Sequence, residues 1–237
     1  HCGARLATIA SSEVQETKNL HALVKALIVS FVILLVSGIV HGVVVEVMVD
    51  NADFLDDSLR HSLLIELSIV EAVDSIAIAF VVAKYGASVS NATPSTKRQV
   101  LTWFLSLPLL AGLLAVNVFY HWVLRTILQL PLIEDDLTEK IDALLILVYC
   151  VQPALFEELY FRGFALGTLT KLTNKTAAVL ISALMFGIVH LAVPLSIPYL
   201  IGFGVVFGFI RLNCGTIWLP IFLHFLHNLI ITLFEHA

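Results

Sequence analysis

Glu157-Glu158-x-x-x-Arg162, Phe186-x-x-x-His190 and His224-x-x-His227-Asn228 set ionisable and amide side chains inside apolar stretches of a 237-residue chain. In hydrocarbon such groups are expensive, so they mark either function or a neutralising partner. Glu158 and Arg162 are four apart with the acid first, the favoured order for a helical ion pair. In apolar surroundings each neutralises a charge that could not stand alone. Glu157 is turned about 100° away round the helix and is free to face a cavity. A carboxylate beside an imidazole is a general base for water; His190 shares that task or steers the water. His224 and Asn228 lie one turn apart on one face, and both donate hydrogen bonds. Aimed at a scissile carbonyl, they stabilise the developing oxyanion.

The elements that hold these groups are membrane spans. The chain is 59% hydrophobic and 13% charged, with a mean hydropathy of +0.97. Soluble domains run near a quarter charged, so there is too little polar residue here to cover a core. A net charge of −5 offers no basic face for nucleic acid, and no Gly-rich phosphate loop occurs. Apolar runs of membrane-crossing length fall at 26–49, 63–83, 100–122, 142–170, 177–193, 197–212 and 216–234. The fold class expected is an all-α polytopic transmembrane bundle of about seven spans, six to eight bracketing the count. The bracket reflects Val123–Ile133, short and mostly apolar, which reads as re-entrant or interfacial. The organisation expected is a tail over 1–25, N-terminal transmembrane helices over 26–122 and a catalytic four-helix core over 140–237. Segment 142–170 reads as one long tilted helix, since only two tolerated glycines interrupt its second half.

Loop charges orient the bundle. Lys18, Lys25, Lys84, Lys97, Arg98, Lys171, Lys175 and Arg211 fall on one set of connections. Asp50, Asp53, Asp56, Asp57, Glu134, Asp135, Asp136 and Glu139 fall on the other, with Arg60, Arg125 and Lys140 against the trend. The N-terminus is therefore expected in the cytoplasm, which also makes glycosylation of the Asn91 and Asn174 sequons unlikely on topological grounds. Glu157 and His190 are equidistant from the turn at 173–174, roughly 20 Å in at 1.5 Å per residue, and His224 and Asn228 roughly 12–18 Å in from the same side. All four groups are thus expected near one depth.

Other polar residues have plainer readings. His121 and His227 read as satisfied core or interface histidines. Glu66, Glu71 and Asp74 in the second span read as a polar seam between helices, with an ion path as the alternative. Gly163-x-x-x-Gly167 and Gly204-x-x-x-Gly208 are small-residue faces for close packing, a pattern that also arises by chance. Cys2, Cys150 and Cys214 imply no disulfide framework, and Cys150 has no evident partner for nucleophilic work. His1-Cys2-Gly3-Ala4-Arg5-Leu6 resembles a zinc-ribbon knuckle without its second cysteine, and an unstructured tail is the favoured reading. Glu157, His190 and His224 are reasonable zinc ligands. However, no His-Glu-x-x-His run is present, so a metal-free, cofactor-free glutamate mechanism is preferred to a zinc-dependent variant.

In order and spacing the three patterns resemble the CAAX-protease and bacteriocin-processing family, also called the abortive-infection or type II CAAX prenyl endopeptidase family. The resemblance covers roughly 140–237 and extends to Arg162-Gly163, Phe186 before His190, and Gly215-Thr216-Ile217-Trp218-x-Pro220 ahead of His224. It implies an intramembrane endopeptidase in which Glu157 and His190 activate water, His224 and Asn228 hold the oxyanion, and Glu158 and Arg162 support the site. It implies a cavity within the bilayer that opens toward the cytoplasm, and a membrane-embedded or lipidated peptide or protein as substrate. Prenylation of that substrate and the oligomeric state are left open. The rival readings are a non-catalytic membrane scaffold or bacteriocin-immunity factor that keeps the motif for packing, and a transporter using the second-span acids.

Overall fold

The computed structural model describes residues 2–50, 57–85, 94–130 and 141–235, and among them every regular element is helical. In chain order these are α1 (Cys2–Asp50), α2 (Asp57–Tyr85), α3 (Thr96–Trp122), α4 (Ala143–Leu172), α5 (Lys175–Ile188), α6 (Ile197–Cys214) and α7 (Trp218–Glu235). Among the described residues four stretches are long and apolar enough to cross a bilayer: Thr17–Val40, Thr96–Ile127, Ala143–Leu172 and Pro194–Cys214. Large apolar side chains such as Phe104, Ile76, Phe80 and Trp218 stay exposed. That is an unfavourable surface in water and the expected one against lipid. The molecule is a helical membrane bundle.

Several boundaries differ from those expected. Residues 2–25 are not an unstructured tail but the first half of α1, and the apolar run expected at 26–49 forms its second half. Val123–Ile127 is not re-entrant: it continues α3 as a π-helical turn, and the chain turns away at Gln129, whose φ is +51°. The acids at 134–136 and 139, and the Asn91 sequon, lie outside the described residues. Asn174 has a structural task, its Oδ1 accepting the Ala177 N–H at 2.9 Å as the N-cap of α5.

Segment 143–172 is one continuous helix, as its sequence suggests, but it is not regular. Leu147–Val151 and Glu158–Ala165 are π-helical, the over-wide turn that often marks functional positions in helices. Within the second π stretch the Phe161 carbonyl accepts the Ser182 hydroxyl of α5 at 3.0 Å, a partner from outside the helix. At the start of α4, Asp142 caps the Leu145 N–H at 2.8 Å and pairs with Arg60 of α2 at 2.8 Å. Arg60, one of the basic residues against the orientation trend, is thus a tie between α2 and α4.

α5 and α6 make the closest helix pair, and its glycines explain why. A β-carbon on Gly204 would sit 2.9 Å from the Cα and Cβ of Ala183, and one on Gly208 2.9 Å from a Val179 methyl. The Gly204/Gly208 spacing is therefore a real packing face, whereas Gly163 has no comparably tight neighbour. α6 ends at Gly215, whose φ of +74° is the left-handed conformation that glycine adopts without strain. Further ties hold α1 and α3 to this group: Ser30 to the Tyr160 hydroxyl at 3.1 Å, Tyr120 to the Leu195 carbonyl at 2.7 Å and His121 to Ser196 at 3.1 Å.

Candidate active site

His190 is not inside a helix. α5 stops at Ile188 instead of running to 193, and the cause is the histidine itself. Its ring Nδ1 bonds the Phe186 carbonyl at 2.7 Å, the acceptor that its backbone N–H would use in a continuing α-helix. The backbone N–H goes instead to Gly187 at 3.2 Å, and the Val193 N–H returns to the His190 carbonyl at 3.0 Å. A side chain has displaced the backbone from its own ladder. α5 is 14 residues, about 21 Å, apolar but shorter than the spanning helices.

Because a carbonyl only accepts, Nδ1 of His190 carries the proton and Nε2 is bare in the neutral ring. That bare nitrogen faces Glu157 Oε1 at 3.7 Å. His224, from α7, approaches the same carboxylate from the other side, with Nε2 at 3.9 Å from Oε2. Its Nδ1 donates to Glu158 Oε1 at 2.9 Å. Both gaps to Glu157 are too long for direct hydrogen bonds and within reach of one water beside all three groups. The Glu157 and His190 side chains are 26% and 25% exposed and that of His224 5%. The first two can therefore meet a substrate, while His224 is seated in the wall.

Behind this layer, Glu158 Oε1 also contacts Arg162 Nη1 at 2.9 Å, with both side chains essentially inaccessible. The guanidinium lies over Phe186 at 4.5 Å from the ring centroid, with Phe207 and Phe203 at 5.6 and 5.9 Å. Neither Nη1 nor Nη2 meets a hydrogen-bond acceptor in good geometry among the described residues, so ring faces and the one carboxylate in ion-pair contact are the guanidinium's solvation. Glu158 thus does more than the sequence suggests: besides neutralising Arg162, it holds the Nδ1–H of His224 and so orients the ring.

Asn228 stands one turn beyond His224 on α7, and its bonds run away from Glu157. Nδ2 donates to the Tyr149 carbonyl at 3.0 Å, and Oδ1 receives His227 Nδ1 at 3.2 Å. Sequence reasoning had no signal for Tyr149 or Ser182, which act through a backbone carbonyl and a small hydroxyl. The α2 acids form a seam with their neighbours: Ser68 bonds Gln152 of α4 at 2.9 Å, Asp74 bonds Ser37 of α1, and Glu71 lies within electrostatic range of Glu157. Outside the spans, the Leu145 N–H and then Arg60 hold the Asp142 carboxyl below the usual carboxylate range.

Residues 139–230 match the family model described as Type II CAAX prenyl endopeptidase Rce1-like. A Bacillus subtilis (strain 168) protein described as "Putative membrane peptidase YdiL" is 34% identical over 100 residues. That match covers 42% of this chain and 40% of the relative, so the chain spans well under two thirds of it. No solved structure matches the chain. The matched segment contains Glu157, Glu158, Arg162, His190, His224 and Asn228, and lies wholly beyond α3.

Proposed function

We propose that residues 139–230, a domain of the Rce1-like type II CAAX prenyl endopeptidase family, hydrolyse a peptide bond using water activated by Glu157. The observation that carries this reading is the convergence of the Glu157 carboxylate with the His190 and His224 Nε2 atoms, at 3.7 and 3.9 Å. A water beside them donates one hydrogen to Glu157 and the other to His190 Nε2, which turns an oxygen lone pair outward. As that oxygen attacks the scissile carbonyl, Glu157 takes the first proton and the carbonyl becomes an oxyanion. Glu157 then returns the proton to the amide nitrogen and the C–N bond breaks, leaving an amine and a carboxylic acid; the acid's remaining proton passes to His190 Nε2 as it ionises to the carboxylate.

The oxyanion needs donors. His224 gives one from Nε2 as the imidazolium, with Glu158 on Nδ1 as counter-charge; Asn228 gives the other from the Nδ2 hydrogen that Tyr149 does not take. No step requires a metal. The site lies about halfway along α4, so the substrate is a membrane-embedded or lipidated peptide reaching the site from within the bilayer. The family resemblance implies an opening toward the cytoplasm, the side on which loop charge is taken to set the N-terminus.

The test uses the full chain in lipid bilayers with internally quenched peptides, each anchored by a prenylated cysteine or by a transmembrane segment. Cleavage in H2(18)O should place one heavy oxygen in the new carboxylate, and turnover should survive chelation followed by removal of the chelator. No cleavage of either peptide class would favour the scaffold reading, and zinc-restored activity after chelation would replace the metal-free step.

A further inference from the structure

The side chains around Asn228 form a chain whose direction can be read from one end to the other. The Tyr149 carbonyl can only accept, so the Asn228 atom 3.0 Å from it is the amide nitrogen. Oδ1 therefore faces His227, and the His227 nitrogen 3.2 Å away, Nδ1, must carry a proton to donate. The far nitrogen, Nε2, is then bare, and the Tyr199 hydroxyl 2.6 Å from it must be the donor. Tyr199 also lies 3.3 Å from the Leu113 carbonyl of α3 and bonds the Asn117 side chain, but its single proton goes to His227 Nε2, the acceptor at 2.6 Å, which leaves the Asn117 amide to donate to the phenolic oxygen. The sequence is thus Tyr199 O–H to His227 Nε2, His227 Nδ1–H to Asn228 Oδ1, and Asn228 Nδ2–H to Tyr149 C=O.

The two outer members are built in tightly. His227 and Tyr199 are both buried, their rings stacked at 5.9 Å with an interplanar angle of 22°, and Phe203 stands edge-on to His227 at 5.0 Å. A buried histidine between a hydroxyl and an amide, each with one role left to play, is a tautomer lock. What it locks is the sign of the amide dipole. An asparagine free to turn by 180° about its last torsion presents either N–H or C=O to a neighbouring site, and the two have similar shape.

We propose that Tyr199 and His227 are positioning residues that fix the Asn228 amide with its second N–H, and not its carbonyl, available to the reacting carbonyl of the substrate. This rests on the oxyanion role given to Asn228 above. It explains why Tyr199 of α6 and His227 of α7 are paired in the core beside Asn228. A flipped amide would put oxygen against oxyanion, so the lock guards turnover more than substrate binding.

Two measurements on the full chain in bilayers test it. The first needs no substrate: the side-chain 15N spectrum of histidine-labelled protein, with His227 assigned from a His227→Gln sample. The inference requires the Nδ1–H tautomer at His227 and loss of the Nε2 hydrogen-bond signature in Tyr199→Phe. An Nε2–H tautomer would reverse every bond in the chain and overturn it. The second is a double-mutant cycle on a quenched peptide anchored by a prenylated cysteine. Tyr199→Phe should lower kcat about 10- to 100-fold with KM unchanged, and should cost nothing further in Asn228→Ala. An equal loss in both backgrounds means Tyr199 acts elsewhere and overturns the inference. Full turnover in Asn228→Ala alone, with the Nδ1–H tautomer intact, would instead remove the oxyanion reading on which the inference stands.

Discussion

In the C-terminal four helices one carboxylate oxygen, Glu158 Oε1, holds both Arg162 and His224 at 2.9 Å. In α2, by contrast, the electrostatic neighbours of Glu71 are the acids Glu157 and Asp74, although Glu71 and Glu158 alike bury a second oxygen, Oε2, with no hydrogen-bond partner among the described residues. Both regions place acids among apolar helices. In one, cation, imidazole and carboxylate are wired together before any substrate arrives. In the other, hydroxyl and amide side chains such as Ser37, Ser68 and Gln152 soften a seam between α1, α2 and α4. The lesson is that a buried charge alone does not mark a site; the network that fixes its geometry does. Substitutions should therefore be costly in α4–α7 and mild in α1–α3.

The largest stability effect expected is at Glu158. Glu158→Gln keeps the volume but leaves the Arg162 guanidinium without a counter-charge among its aromatic rings, a loss of roughly 3–5 kcal/mol for a buried pair. Thermal unfolding in detergent would show it, and an unchanged Tm would dissolve the contrast between the two regions. Next come the glycines. Gly204→Val drives methyls into the Ala183 backbone and should cost about 1–3 kcal/mol. Gly112→Ala on α3 meets nothing within 4 Å and should be neutral, or stabilise by up to about 1 kcal/mol through helix propensity. Equal effects at both positions would mean that α5–α6 packing is looser than described.

The smallest effect tests the tie between the regions. The Asp142 carboxyl is held below its ordinary value by the Leu145 N–H and by Arg60. Its folded-state pKa is therefore lower than the unfolded one, about 3.9. The stabilisation is present above about pH 4 and is lost as pH falls through the lower, folded value. Asp142→Asn keeps the cap and removes the charge. It should flatten the Tm-against-pH curve below about pH 4 and leave Glu157-dependent turnover near neutral pH untouched. A curve as steep as that of the parent protein would assign the acid sensitivity to other carboxylates.

Much of this was legible in the sequence, for identifiable reasons. Hydropathy pointed to an all-helical membrane bundle, and counting residues from the 173–174 turn put Glu157, His190, His224 and Asn228 near one depth; the first three converge, while the hydrogen bonds of Asn228 go to Tyr149 and His227. The helical character of 155–170 was readable because no residue there breaks a helix. Its π-helical register was not, since a partner on another element, Ser182, accounts for part of it. The early end of α5 was hidden because a histidine reads as a neutral member of an apolar helix until its ring is seen on the Phe186 carbonyl. The second duty of Glu158 was missed for a related reason: spacing within one helix finds Arg162 but cannot find His224, 66 residues away. His227 is the buried, satisfied histidine its sequence suggests, but spacing alone names neither of its partners, because Tyr199 lies on another helix.

The most direct measurement is turnover by Glu157→Gln, in bilayers and on a cleavable anchored peptide, alongside its Tm. The amide has the shape of the carboxylate but cannot take a proton from water. The account predicts a loss of about 100- to 10,000-fold in kcat with Tm unchanged, because the Glu157 side chain is a quarter exposed and makes no short ion pair. Turnover equal to that of the parent protein, at equal Tm, would contradict it.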